Sequence, residues 1–142
     1  MNNTLSYLMV LLMMLSWPVI SAAQNNHSHE HTGGVDFATL DDGWEVLETV
    51  TAAIRTAVSS DNMAALHDLS TELRTVADRF GKLSSDVPQA NQLRFTSSVN
   101  QLRTLGDRLH VAHEEGNTEA ARQMVPQLDG VVQLLMVSAE AE

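Results

Sequence analysis

From Asp41 to Met136 the apolar residues return every three or four positions. This period constrains the chain more than any other feature. Leu66, Leu69, Leu73, Val76 and Phe80 advance by three, four, three and four, which lines one side of a helix and makes a bundle seam. Val46, Leu47, Val50, Ile54, Ala57 and Val58 repeat the pattern upstream, and Phe95, Val99, Leu102, Leu105, Leu109 and Ala112 downstream. Ala120, Met124, Leu128, Val131 and Leu135 make a fourth stripe.

The breaks between stripes define the helices. Helix one is expected to open at Asp41 or Asp42, with Asp42 and Glu45 as a capping box. Ser59-Ser60-Asp61-Asn62 interrupts it, and Ser60 or Asp61 is placed to cap helix two. Gly81 ends or weakens helix two, and Ser84-Ser85-Asp86-Val87-Pro88 reads as a turn. Helix three is expected from Pro88, in its first turn, to Glu115. Gly116-Asn117 separates it from helix four. Pro126 inside helix four removes a backbone donor, and the expectation is a kink. Gly130 weakens the same helix. The fold class implied is all-α, an antiparallel up-down-up-down four-helix bundle over residues 41–138, with a tail at 139–142. No repeat of 20 to 50 residues and no Gly-rich phosphate loop is visible.

Composition agrees with helices. Aromatic residues make up 4% of the chain, too few for the aromatic and β-branched surfaces that sheets favour. The absence of cysteine removes disulfides, thiolate metal sites, cysteine catalysis and covalent haem attachment. A formal net charge of −10 argues against nucleic acid as a partner, since phosphate binding needs clustered Lys and Arg. No arrangement of residues marks a catalytic site, and the chain reads as a non-enzyme.

The first residues read as an export signal. Tyr7 to Ile20 is a mostly apolar stretch, shorter than the roughly 20 residues a membrane-spanning helix needs. Ser21-Ala22-Ala23 supplies the small residues of a cleavage site, so residues 1–23 are expected to be a signal peptide, with no membrane span after cleavage. Met1–Tyr7 lacks Lys and Arg, which is irregular for such a segment. Every charged residue lies beyond Ala23. An exported chain without cysteine points to the bacterial periplasm. Residues 24–40 read as a flexible polar leader carrying His27, His29 and His31.

Two groups of residues suggest metal chemistry. His27, His29 and His31 alternate around Glu30, and imidazole is a common ligand for zinc, copper and nickel. The second group belongs to the bundle. In an up-down topology His67, near the start of helix two, and His110, near the end of helix three, lie at similar depth, roughly 9 Å and 7.5 Å from the same end. His113, Glu114, Asp68, Met63 and Met124 lie near that end as well. At about 100° per residue, His113 points to the core edge, His110 to the flank, and His67 almost to solvent. His110 and Glu114 share a face and form a clamp at i and i+4. A closed site through His67 requires helix two to rotate. Ligation by neutral imidazole implies binding that weakens below about pH 6.

Two resemblances add to this reading. Asp61-Asn62-Met63-Ala64-Ala65, the run from Ala112 to Ala121, and Gln127-Leu128 resemble the small soluble four-helix b-type cytochromes of the periplasm, over Asp41 to Met136. That family binds haem through a helix-one Met and a helix-four His; the matching places hold Leu47 and Met136 here. Haem is therefore not the expected cofactor. The leader histidines, Ala65-Leu66-His67-Asp68-Leu69 and the late helix-three histidine pair are similar to small His-bearing proteins associated with heavy-metal efflux. That likeness implies a divalent copper, zinc or nickel ion as ligand. It also implies an envelope transporter or another bundle as partner. The alternatives are a helical interaction module of the envelope and a haem electron-transfer protein.

Overall fold

The computed structural model describes residues 35–140. The expected signal peptide and His27, His29 and His31 lie outside them. Four α-helices follow one another: α1 Leu40–Ser59, α2 Met63–Lys82, α3 Gln92–Glu114 and α4 Thr118–Ala139. A single 3₁₀ turn, Ser84–Asp86, lies between α2 and α3. Among the described residues there is no strand. Each helix packs on its neighbour in sequence, and α4 closes on α1. The result is an all-α four-helix bundle. Its interior is aliphatic, with Leu47, Ile54, Leu66, Leu73, Leu102, Leu109, Leu128 and Leu135 fully buried beside Phe80 and Phe95.

The helix starts differ from the sequence expectation, each time for a local reason. Thr39 caps α1: its Oγ1 accepts from the Asp42 backbone N–H at 3.2 Å and donates to the Asp42 carboxylate at 2.8 Å. Asp42 is thus the third helical residue, and Thr39–Asp42 takes the place of the expected Asp42–Glu45 box. Asn62, rather than Ser60 or Asp61, caps α2 through an Oδ1 that accepts from Ala65 N–H. Pro88 does not lie in the first turn of α3. It opens a tight turn in which Asn91 N–H donates to the Pro88 carbonyl at 2.8 Å, and α3 starts at Gln92.

The end of the expected leader belongs to the core. Phe37 is buried, with its ring 5.1 Å from that of Phe80. Gly43 makes room for it, because a Cβ there would stand 2.7 Å from Phe37 Cε2. Arg79 pairs with Asp36 beside this contact. Pro126 does not split α4, which runs unbroken from Thr118 to Ala139 with Pro126 exposed.

The two hairpins α1–α2 and α3–α4 repeat one another at a constant sequence separation, longer than the repeats sought in the sequence. Leu47, Val50, Ile54 and Ala57 correspond to Leu102, Leu105, Leu109 and Ala112, all buried. Leu66, Leu73, Val76 and Phe80 correspond to Ala121, Leu128, Val131 and Leu135, also buried. The turns match too. Asp61 and Gly116 adopt φ of 55° and 62°. Asn62 and Asn117 then donate to the Ala57 and Ala112 carbonyls, each at 2.8 Å, and cap the following helix. This closure satisfies the last carbonyls of one helix and the first donors of the next.

Candidate metal centre

The shared end of the bundle, where both turns lie, also carries the histidines of α2 and α3. What brings them together is a close crossing of these helices. Gly106 of α3 lies against Ser70 and Arg74 of α2. A Cβ on Gly106 would stand 3.2 Å from the Ser70 carbonyl oxygen and 2.6 Å from Arg74 Cγ. His67 is one turn before Ser70, and His110 one turn after Gly106. In antiparallel helices these positions face each other across the crossing. His113 follows one turn beyond His110.

The rings form a triangle. His67 lies 4.9 Å from His110 and 5.2 Å from His113 between ring centroids, and His110 lies 6.4 Å from His113. His110 and His113 are partly buried, and His67 is exposed. The estimated helix-face angles pointed His67 almost to solvent. Its exposure fits that direction, yet its ring borders both others without a rotation of α2. Angles measured on one helix cannot register how near the next backbone comes. Here Gly106 and Ser70 let it come close enough for the flanks to meet.

Hydrogen bonds define the face that two of the rings present. His113 Nδ1 lies 2.8 Å from the Met63 carbonyl oxygen. A carbonyl oxygen only accepts, so Nδ1 carries the proton, and in the neutral ring Nε2 keeps its lone pair. His110 Nδ1 lies 3.3 Å from Ser70 Oγ. The Ser70 hydroxyl already donates to the His67 carbonyl at 2.8 Å, so its oxygen accepts from His110 Nδ1–H. In their neutral form both rings therefore offer an unprotonated Nε2. His110 Nε2 is 3.5 Å from Glu114 Oε1, an ion pair when the ring is protonated; in the neutral ring a lone pair faces the carboxylate. A cation between these atoms would serve both.

As the side chains stand, no three His, Asp or Glu residues among those described already converge on one point. Glu114, with a side chain 63% exposed, and His67 are the groups with solvent around them to move into. Asp68 is exposed on α2, Met63 is partly buried and its carbonyl holds His113, and Met124 is buried in the α4 seam. Ser70 and Gly106 were not singled out in the sequence. Their signal is the small residue one turn from each histidine, on the faces where α2 and α3 touch.

The positions that the cytochrome resemblance picks out are occupied differently. Leu47 is fully buried in the core and Met136 is exposed on α4. The chain matches no protein-family model, no curated protein and no solved structure.

Proposed function

We propose that the protein is a non-enzymatic binder of transition-metal ions (copper, zinc or nickel) that works in the periplasm after removal of residues 1–23, in metal resistance or efflux. The observation that carries this reading is the meeting of His67, His110 and His113 from two helices, with the Nδ1 hydrogens of His110 and His113 engaged by the protein. Imidazole nitrogen suits all three metals. The acidic surface raises the local concentration of cations. His27, His29 and His31 form a second group of ligands, near enough in sequence to wrap one ion.

The test is calorimetric titration of the purified chain with Zn²⁺, Cu²⁺ and Ni²⁺. Binding at micromolar concentration or tighter that weakens in acid is expected. Alanine at His27, His29 and His31 together, and at His110 and His113 together, separates the two groups. Affinity that survives all five substitutions rules out both.

A second reading, an interaction module of the envelope, is favoured by one surface. Leu93 of α3 and Leu134 and Val137 of α4 are 87%, 57% and 64% exposed. Leu93 and Leu134 also line a groove of ≈ 760 Å³ between α3 and α4. Self-association or partner binding that a chelator leaves unchanged, and that Leu134→Asp abolishes, would favour this reading.

A further inference from the structure

Resting on the metal-binding reading, we infer that the bundle holds its ion in a four-coordinate, zinc-type site formed by Nε2 of His110, Nε2 of His113 and a ring nitrogen of His67. Glu114 or water takes the fourth place. Ser70 is the positioning residue that fixes His110 for it.

The ring spacing is the first support. A zinc–nitrogen bond of about 2.0–2.1 Å puts an imidazole centroid about 3.2 Å from the ion, so two rings on a tetrahedral ion lie about 5 Å apart. The separations of 4.9 and 5.2 Å match this, whereas 6.4 Å is the span of rings on opposite sides of an ion, so His110 and His113 must approach by about 1 Å to share a tetrahedral one.

The second support is the outer layer of hydrogen bonds. Metal-bound histidine donates its other N–H to a carbonyl, carboxylate or similar oxygen, which fixes the tautomer and the ring direction. The Met63 carbonyl does this for His113 and Ser70 Oγ for His110. Ser70 is fully buried, and its own proton is committed to the His67 carbonyl. Its oxygen is therefore free to accept and its hydroxyl is not free to donate to His110. One serine thus ties the ligand-bearing turn of α2 to the ring on α3. Glu114, one turn beyond His110 on the same face, stands on the open side.

The experiment uses the full chain carrying alanine at His27, His29 and His31, so that the bundle site is read alone. Nitrogen NMR of the metal-free protein at about pH 8, where imidazole is neutral, should show the Nδ1–H tautomer for His110 and His113. Ser70→Ala should move His110 toward the Nε2–H form and leave His113 unchanged. Co²⁺ should give the intense visible bands of a four-coordinate ion. Ser70→Ala should lower affinity about 10–100-fold, the range for loss of an outer hydrogen bond. Ser138→Ala, which removes a comparable buried hydroxyl bonded to the Leu135 carbonyl in α4, should not change it. His67→Ala, on the exposed side and no threat to folding, should weaken binding and alter the cobalt bands.

An Nε2–H tautomer at His110, weak six-coordinate cobalt bands, or equal affinity in Ser70→Ala and the parent would each overturn the site as described. Ion binding by the native chain in any of those cases leaves the broader metal reading standing. If the native chain binds no ion, both fall.

Discussion

Gly106 and Gly130 both lie inside helices, yet replacing each with alanine should have opposite effects. At Gly130 a Cβ meets nothing within 4 Å. Alanine there gains the usual helix preference over glycine, and Gly130→Ala should stabilise the protein by about 0.5–1 kcal/mol. At Gly106 the same gain is outweighed. The Arg74 side chain can swing away, but the Ser70 carbonyl at 3.2 Å is backbone, so α2 and α3 must part. Overpacking of this kind costs about 1–3 kcal/mol. Urea unfolding of the two variants should therefore move the midpoint in opposite directions. Gly106→Ala should also weaken ion binding, because it separates His67 from His110. The sequence marked Gly130 as a weak point in its own helix. It gave no such mark to Gly106, whose importance comes from a neighbouring helix.

The elements show what a local pattern carries. The four stripes were legible because helical burial depends on spacing within about 20 residues, and the seams found by period are buried except at Val46, Leu69 and Ala120, which are partly buried at the edge of the core. The helix starts were less legible. Several capping residues stand side by side at each break, and the choice among them depends on how the preceding helix ends. Asn62 wins over Ser60 and Asp61 because the α1 turn spends Ser60 and Asp61 on the closing hydrogen bonds and the positive φ. One aromatic in a polar stretch has no period, so nothing in the sequence separates Phe37 from the leader. Its place is made by Gly43 and Phe80. The matched turns give a prediction. Asn62→Ala and Asn117→Ala should each cost about 1 kcal/mol, the usual value of a helix cap. The double variant should lose the sum, because the two caps share no partner. Gly116→Ala should also destabilise, by roughly 1 kcal/mol, since alanine resists a φ of 62°. Chemical denaturation of the four variants checks both statements, and an effect of Gly116→Ala near zero would contradict the role given to that turn.

At the scale of the molecule, the candidate site sits where the two hairpins cease to match. The counterparts of His67, His110 and His113 in the repeat are Arg122, Arg55 and Val58. Arg122 pairs with Asp61 at 2.6 Å and Arg55 with Asp129 at 2.7 Å, so the α4–α1 flank is closed by ion pairs. The α2–α3 flank carries imidazoles at the same places. An ion held there also engages His67, which only folding brings to His110, His113 and Glu114, so the unfolded chain cannot reproduce the complete site. An ion held by His27, His29 and His31 is different, because ligands so close in sequence remain together when the chain unfolds. Linkage separates the two. A ligand that binds only the folded state at one hundred times its dissociation constant adds about 2.7 kcal/mol of stability, roughly 10 °C in midpoint for a domain of this size. One that binds folded and unfolded chains alike adds nothing. Zn²⁺ should therefore raise the melting temperature of the native chain and of the chain with alanine at His27, His29 and His31 by the same amount. Substitution of His110 and His113 by alanine should remove the shift, and acid should remove it from the two chains that show it, because protons compete with the metal for imidazole nitrogen. Tight binding by calorimetry with no change in melting temperature would place the ion on the alternating histidines and leave the α2–α3 cluster without a metal.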